Sequence, residues 1–276
     1  KTEEYRVQGR GGKGILTIPA AAFQPDRDGY DYENHGRCLK HLHSPGGTTT
    51  AGDYTAPVRL PHGATVTKMT FYFYDDMLGT DVEAWLRRTA MDGSMQEMAY
   101  VASEFVGGYG SKSDDTIGHA VVDNSWYAYW VTWRIPAVAL TEYMGCAVVI
   151  EYDYPPAPSP VEYLSIPAAA FQPWEDGYDY LNYGLYLFHE HSPGGGSADG
   201  VYLAPVYRPD GALVSKMTFY FYDAVTMVDV QAFLQRTDLA GNYDEMATTT
   251  EDLPIVYVPD DESSDEERRK EMEELG

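Results

Sequence analysis

The sequence predicts an all-β protein: two tandem antiparallel β-sandwich domains, jelly-roll-like or immunoglobulin-like, the second one truncated. Three observations predict it. The chain holds 24 Tyr against 9 Phe, in runs with Val, Ile and Thr, side chains that pack well on a pleated surface. Many short segments alternate with period two, and no stretch shows a convincing helical period. A stretch of domain size occurs twice.

Strand candidates in the first copy follow one another at short spacing: 15–23, 36–43, 54–60, 65–75, 82–89, 96–105, 119–135 and 143–153. In TVTKMTFYFYDD, Met69, Phe71 and Phe73 point one way while Thr70, Tyr72 and Tyr74 point the other. In WYAYWVTWRIP, Tyr127, Tyr129, Val131, Trp133 and Ile135 share a face opposite Ala128, Trp130, Thr132 and Arg134. Such alternation is what a sandwich strand needs, with one face toward the core.

The second copy is unmistakable. LTIPAAAFQPDRDGYDYENHG from Leu16 recurs as LSIPAAAFQPWEDGYDYLNYG from Leu164, and KMTFYFYD from Lys68 recurs from Lys216. The offset stays constant to Tyr100, with about 50 of some 85 aligned positions identical. Four prolines in YPPAPSPVEY make a short, stiff, extended spacer between the copies. Beyond Glu245–Met246–Ala247 the strands at 119–135 and 143–153 have no counterparts, although Ile255–Val258 offers one replacement strand. A copy without them exposes ladder edges and half a core, so the second unit is expected to be marginal. The expected organisation is a basic segment at 1–14, repeat 1 at 15–154, a linker at 155–163, an incomplete repeat 2 at 164–258 and an acidic tail at 259–276. That tail is disordered by default, with a short helix started by the Ser264/Glu267 capping pattern as the alternative.

A formal net charge of -24 opposes nucleic acid and anionic membranes at long range. Residues 1–14 alone are basic, whereas the final 26 residues are about -8 by simple counting. No apolar run reaches transmembrane length, so no membrane partner is expected. Cys38 and Cys146 are too few for a disulfide framework; two buried free thiols are the expected state, with a bond between the two as the alternative that sequence does not decide.

Candidate chemistry is sparse. Both copies carry H-x-H followed by SPGG: His41 and His43, then His189 and His191. Alternate strand positions offer the two imidazoles a metal pair needs; a hydrogen-bonded pair beside a turn uses the same residues. Asp26, Asp28, Asp31 and Glu33 form an acidic stretch, but the spacing does not fit a calcium loop, and Trp174 and Leu181 replace two of them in the second copy. Aromatic residues Trp85, Trp126, Trp130 and Trp174 with tyrosine neighbours suit a stacking platform for sugars, or else pack across strands. No nucleophile stands in a recognisable catalytic context, so no catalytic residue and no cofactor are expected.

KTEEYRVQGRGGKGI opens the chain. It resembles the glycine-rich box at the start of the C-terminal DNA-wrapping domain of the DNA gyrase A protein, a type IIA topoisomerase, with Gly9 in place of an arginine. The resemblance covers about the first sixteen residues. It implies contact with the DNA phosphate backbone through Arg6, Gln8, Arg10, Gly11, Gly12, Lys13 and Gly14; glycines let the backbone approach a phosphate, and the cations neutralise it. It also implies a β-pinwheel of blade-sized repeats, whereas the repeat here is domain-sized and acidic.

Three readings are ranked in order. The first is a non-catalytic tandem β-sandwich that binds carbohydrate or protein, extracellular or on the cell surface. The second is a C-terminal fragment of the gyrase A protein, cytoplasmic, interrupted by or fused to the repeat. The third is a metal-dependent β-sandwich enzyme using the H-x-H pairs.

Overall fold

The computed structural model describes residues 12–44, 47, 50–104, 107–137, 143–155, 163–174, 178–191, 200–207, 213–221, 230–237 and 243–249. In these the protein is all-β. The first copy is a complete antiparallel sandwich. Its six-stranded sheet, sheet A, runs β3 (Asp31–Asn34), β4 (Leu39–His43), β11 (Tyr143–Asp153), β6 (Thr65–Asp75) and β9 (Gly108–Asp114), with β1 (Lys13–Pro19) also on β11. Five-stranded sheet B runs β2 (Gln24–Pro25), β5 (Gly52–Val58), β10 (Tyr127–Ile135), β7 (Glu83–Ala90) and β8 (Met95–Ala102). The two longest strands, β6 and β11, take the bounds that the alternation predicts, whereas the candidate 119–135 is a strand only from Tyr127. Three strands carry no such signal: β2 and β3 are too short to show alternation, and β9 is GYGSKSD, too small and polar to read as a strand.

Between the sheets lies one apolar core. Met69, Phe71 and Phe73 of sheet A meet Tyr129, Val131, Trp133 and Ile135 of sheet B, all of them buried. Trp133 stacks on Phe23 with ring centroids 3.4 Å apart. Gly145 of β11 makes room for that indole; a Cβ there would lie 2.4 Å from the Trp133 ring.

Cys38 and Cys146 form a disulfide, which corrects the expectation of free thiols. Leu39 and Gly145 are paired across β4 and β11, so their neighbours Cys38 and Cys146 face one another, Cα to Cα 3.9 Å. Separation by 108 residues in sequence hid this adjacency.

Among the described residues the second copy forms three two-stranded pieces: β12 (Gln172–Pro173) with β15 (Tyr202–Leu203), β13 (Asp179–Asn182) with β14 (Leu187–His191), and β16 (Ala232–Thr237) with β17 (Tyr243–Thr249). In the first copy β10 joins β5 to β7, and β11 joins β1 and β4 to β6. Among the described residues of the second copy no strand takes the place of β10 or β11. Residues 213–221 form no strand, although KMTFYF is identical in β6. The chain divides into two compact units, Lys1–Val206 and Tyr207–Gly276, and the division falls inside the second copy. Ile255–Val258 and the acidic tail lie outside the described residues.

Candidate functional site

Sheet B has one face in the core, and its other face carries the cluster best suited to holding a ligand. Period-two alternation sends Glu83, Trp85 and Arg87 of β7 to that outer face, and pairing places Trp85 between Tyr100 of β8 and Thr132 of β10. The rings of Trp85 and Tyr100 lie 5.3 Å apart, tilted by 34°, and Tyr100 is 40% exposed. Two guanidinium groups flank the indole, Arg87 at 4.9 Å and Arg134 at 5.6 Å from its ring centre. Arg134 grips Asp53 with two hydrogen bonds of 2.8 and 2.9 Å. The Tyr100 hydroxyl donates to Glu83 at 2.5 Å.

Electrostatics follow from burial and pairing. Desolvation holds the Arg87 guanidinium below its ordinary pKa, and its Nε has no partner among the described atoms. Arg134 is raised, chiefly by its hydrogen bonds to Asp53. Desolvation, helped by the hydrogen bond to Glu83, pushes the Tyr100 phenol up, so it stays a neutral donor.

A cleft of about 500 Å³ adjoins this face, sharing Asp53 and Arg134 with it and adding Arg27, Tyr30, Ser44, Thr50 and Ala51. Arg27 pairs with the buried Asp26 at 3.2 Å. Burial raises the Asp26 carboxyl against the lowering effect of Arg27. From Tyr100 to Tyr30 the surface thus reads aromatic, arginine, acid, arginine, aromatic. It offers ring faces for stacking, and amino and carboxylate groups for hydroxyls.

Behind the cleft wall sits His41. Its Nε2 lies 3.1 Å from both the Thr50 carbonyl oxygen and Ser44 Oγ, and its Nδ1 lies 2.7 Å from the Tyr54 hydroxyl. A carbonyl only accepts, so Nε2 carries the proton and Nδ1 accepts from Tyr54. Desolvation lowers the His41 pKa, which fits a neutral ring. His43 stands exposed beside Asp31 at 3.8 Å. In the second copy His189 repeats the first pairing, Nδ1 to the Tyr202 hydroxyl at 2.8 Å. The side chain of His191 lies outside the described residues. Among the described residues no group of three or more His, Cys, Asp or Glu is arranged to hold a metal ion.

Arg6, Gln8, Arg10 and Gly11 of the glycine-rich box lie outside the described residues. Gly12 accepts a hydrogen bond from the Tyr154 N–H at 2.9 Å, and Lys13 and Gly14 already belong to β1, opposite Asp153 and Tyr152. Of the four tryptophans in the sequence's aromatic candidates, Trp85 is half-buried on the platform, Trp126 half-buried in a turn, Trp130 fully buried and Trp174 exposed. Arg87, Arg134 and Asp53 carry no signal of their own in the sequence; only the strand register brings them beside Trp85.

No family model and no curated protein matches the sequence. Solved structures with a similar fold include the C-terminal CBM6 of LamC, a laminarinase from Zobellia galactanivorans. It is 9% identical at TM-score 0.32, with 50% of this chain and 98% of that chain covered. Another is the carbohydrate-binding module CBM6cm-2 from Cellvibrio mixtus lichenase 5A, in complex with cellotriose: 8% identical, TM-score 0.28, 49% and 95% covered. A third is TmCBM61 in complex with beta-1,4-galactotriose: 11% identical, TM-score 0.28, 50% and 90% covered.

Proposed function

We propose that the first copy is a non-catalytic binding module for carbohydrate, and that the ligand lies on the outer face of sheet B. The Trp85–Tyr100 pair between Arg87 and Arg134 carries this reading: a sugar ring stacks on the aromatic surface while its hydroxyls meet the flanking polar groups. Two carboxylates of this face are already engaged, Asp53 by Arg134 and Glu83 by Tyr100, which suits binding better than general acid–base work. The disulfide supports an extracellular or cell-surface setting, because such bonds persist in oxidising compartments.

A glycan array followed by calorimetry on the best ligand tests the proposal. Trp85→Ala is expected to weaken binding by about ten-fold, ~1.4 kcal/mol, with the sandwich still folded by circular dichroism. No glycan bound by the wild type, or equal binding by the variant, overturns it.

A further inference from the structure

The first half of the second copy repeats the first copy's geometry almost atom for atom. Asn34 Nδ2 donates to the Ala20 carbonyl at 2.9 Å, and Asn182 Nδ2 to the Ala168 carbonyl at 2.8 Å. Gly36 N–H donates to Asn34 Oδ1 at 3.0 Å, and Gly184 N–H to Asn182 Oδ1 at 3.1 Å. One edge therefore exists twice, as Tyr32–Gly36 and as Tyr180–Gly184, with the same local fold.

Their surroundings differ. The edge of the second copy is docked on the first sandwich. Leu181 bridges Arg27 in antiparallel fashion, the Asn182 N–H donates to the Asp26 carbonyl at 2.6 Å, and the Asp28 N–H donates to the Tyr180 carbonyl at 3.4 Å. Gly184 packs against the fully buried Trp130; a Cβ there would lie 2.3 Å from the indole nitrogen. In the first copy β3 ends sheet A, with no strand on its outer side among the described residues. Tyr32, Glu33, His35 and Gly36 are exposed, where Tyr180, Leu181 and Tyr183 are half-buried and Gly184 is buried. An unpaired strand edge is a template for another chain.

We propose that Tyr32–Gly36 is a second docking edge of the same kind, and that its partner is the Asp26–Asp28 segment with Trp130 of a second copy of this chain. The contact is head to tail, one edge entering one acceptor, so it propagates rather than closing on itself. Each acceptor is filled in cis by its own Tyr180–Gly184, and association in trans therefore requires that edge to leave. The covered edge keeps the chain monomeric, and the spare one extends the assembly when the acceptor is freed.

Sedimentation of the full chain over a range of concentrations reads the association. Wild type is expected to run as a monomer. Asn182→Pro removes the N–H that the Asp26 carbonyl accepts; in dilute solution it is expected to expose the Asp28 amide to hydrogen exchange, and at rising concentration to give oligomers that cover that amide again. To identify the edge, Asn182→Pro/Arg27→Cys is mixed under oxidation with a size-tagged Asn182→Pro/Glu33→Cys chain. A mixed covalent dimer is expected, since Glu33 stands where Leu181 opposes Arg27. Three results overturn the proposal: an Asp28 amide that stays protected in dilute Asn182→Pro, no association at rising concentration once that amide is exposed, or oligomers that give no mixed dimer. If Asn182→Pro loses the near-UV signal of the folded sandwich, Gly184→Leu takes its place, with the same outcomes read.

Discussion

His41 shows how far a single residue's role depends on what surrounds it. Two histidines at alternate strand positions have the spacing of a metal pair, yet His41 spends both ring nitrogens on Tyr54, Ser44 and Thr50. Its folded pKa is lowered by burial, so the unfolded chain binds the proton more readily. His41 therefore adds stability above about pH 6.5, and that contribution is lost as pH falls from there toward the lowered folded value. Urea midpoints across pH 5–8 check this: stability is expected to rise with pH in the lower half, and His41→Phe to flatten the slope. That variant takes the Tyr54 hydroxyl's acceptor away, at a cost of ~1–3 kcal/mol. Gly145 gives a second prediction at this scale. Gly145→Ala drives a Cβ into the Trp133 ring, with Phe23 stacked close by, and is expected to cost ~1–3 kcal/mol in the same measurement.

Among the elements, the β4–β11 pair is the one tied covalently. The Cys38–Cys146 bond closes a loop of 108 residues in sequence, and loops of that size lose much conformational freedom in the unfolded chain. Cys38→Ser/Cys146→Ser is expected to lower unfolding free energy by ~2–5 kcal/mol, while added reductant should no longer change the urea midpoint. Strand β1 sets a different test. Lys13 opens it, and Arg10 lies just before. If the resemblance to the gyrase box carries function, weak, salt-sensitive DNA binding is expected in gel-shift assays, and Arg10→Ala/Lys13→Ala should abolish it. Unchanged binding in that double variant rules the box out.

For the whole molecule, the two copies predict unequal protection. Amide exchange is expected to be slowest in β6, β10 and β11, which pair on both sides around the core. It should be fast in β16 and β17, which among the described residues pair only with each other. Equal protection in the two copies would contradict the fragmentary second copy.

The sequence alone determined the all-β class, the duplication, and the inward faces of β6 and β10. Each of these rests on local alternation or on comparing one stretch with another. Trp85 was also legible, because an aromatic residue within an alternating strand is a candidate for either face. Tertiary structure decided the rest. It joined Cys38 to Cys146, and it set Arg87, Arg134 and Asp53 around Trp85, since register across neighbouring strands leaves no trace in either strand's own pattern. KMTFYF shows the division most directly. In the first copy β11 and β9 take up its backbone groups and it is a strand; in the second no described strand lies in the place of β11 and the same six residues form none. Alternation says which way side chains point if a strand forms, but a strand also needs a neighbour to receive its hydrogen bonds.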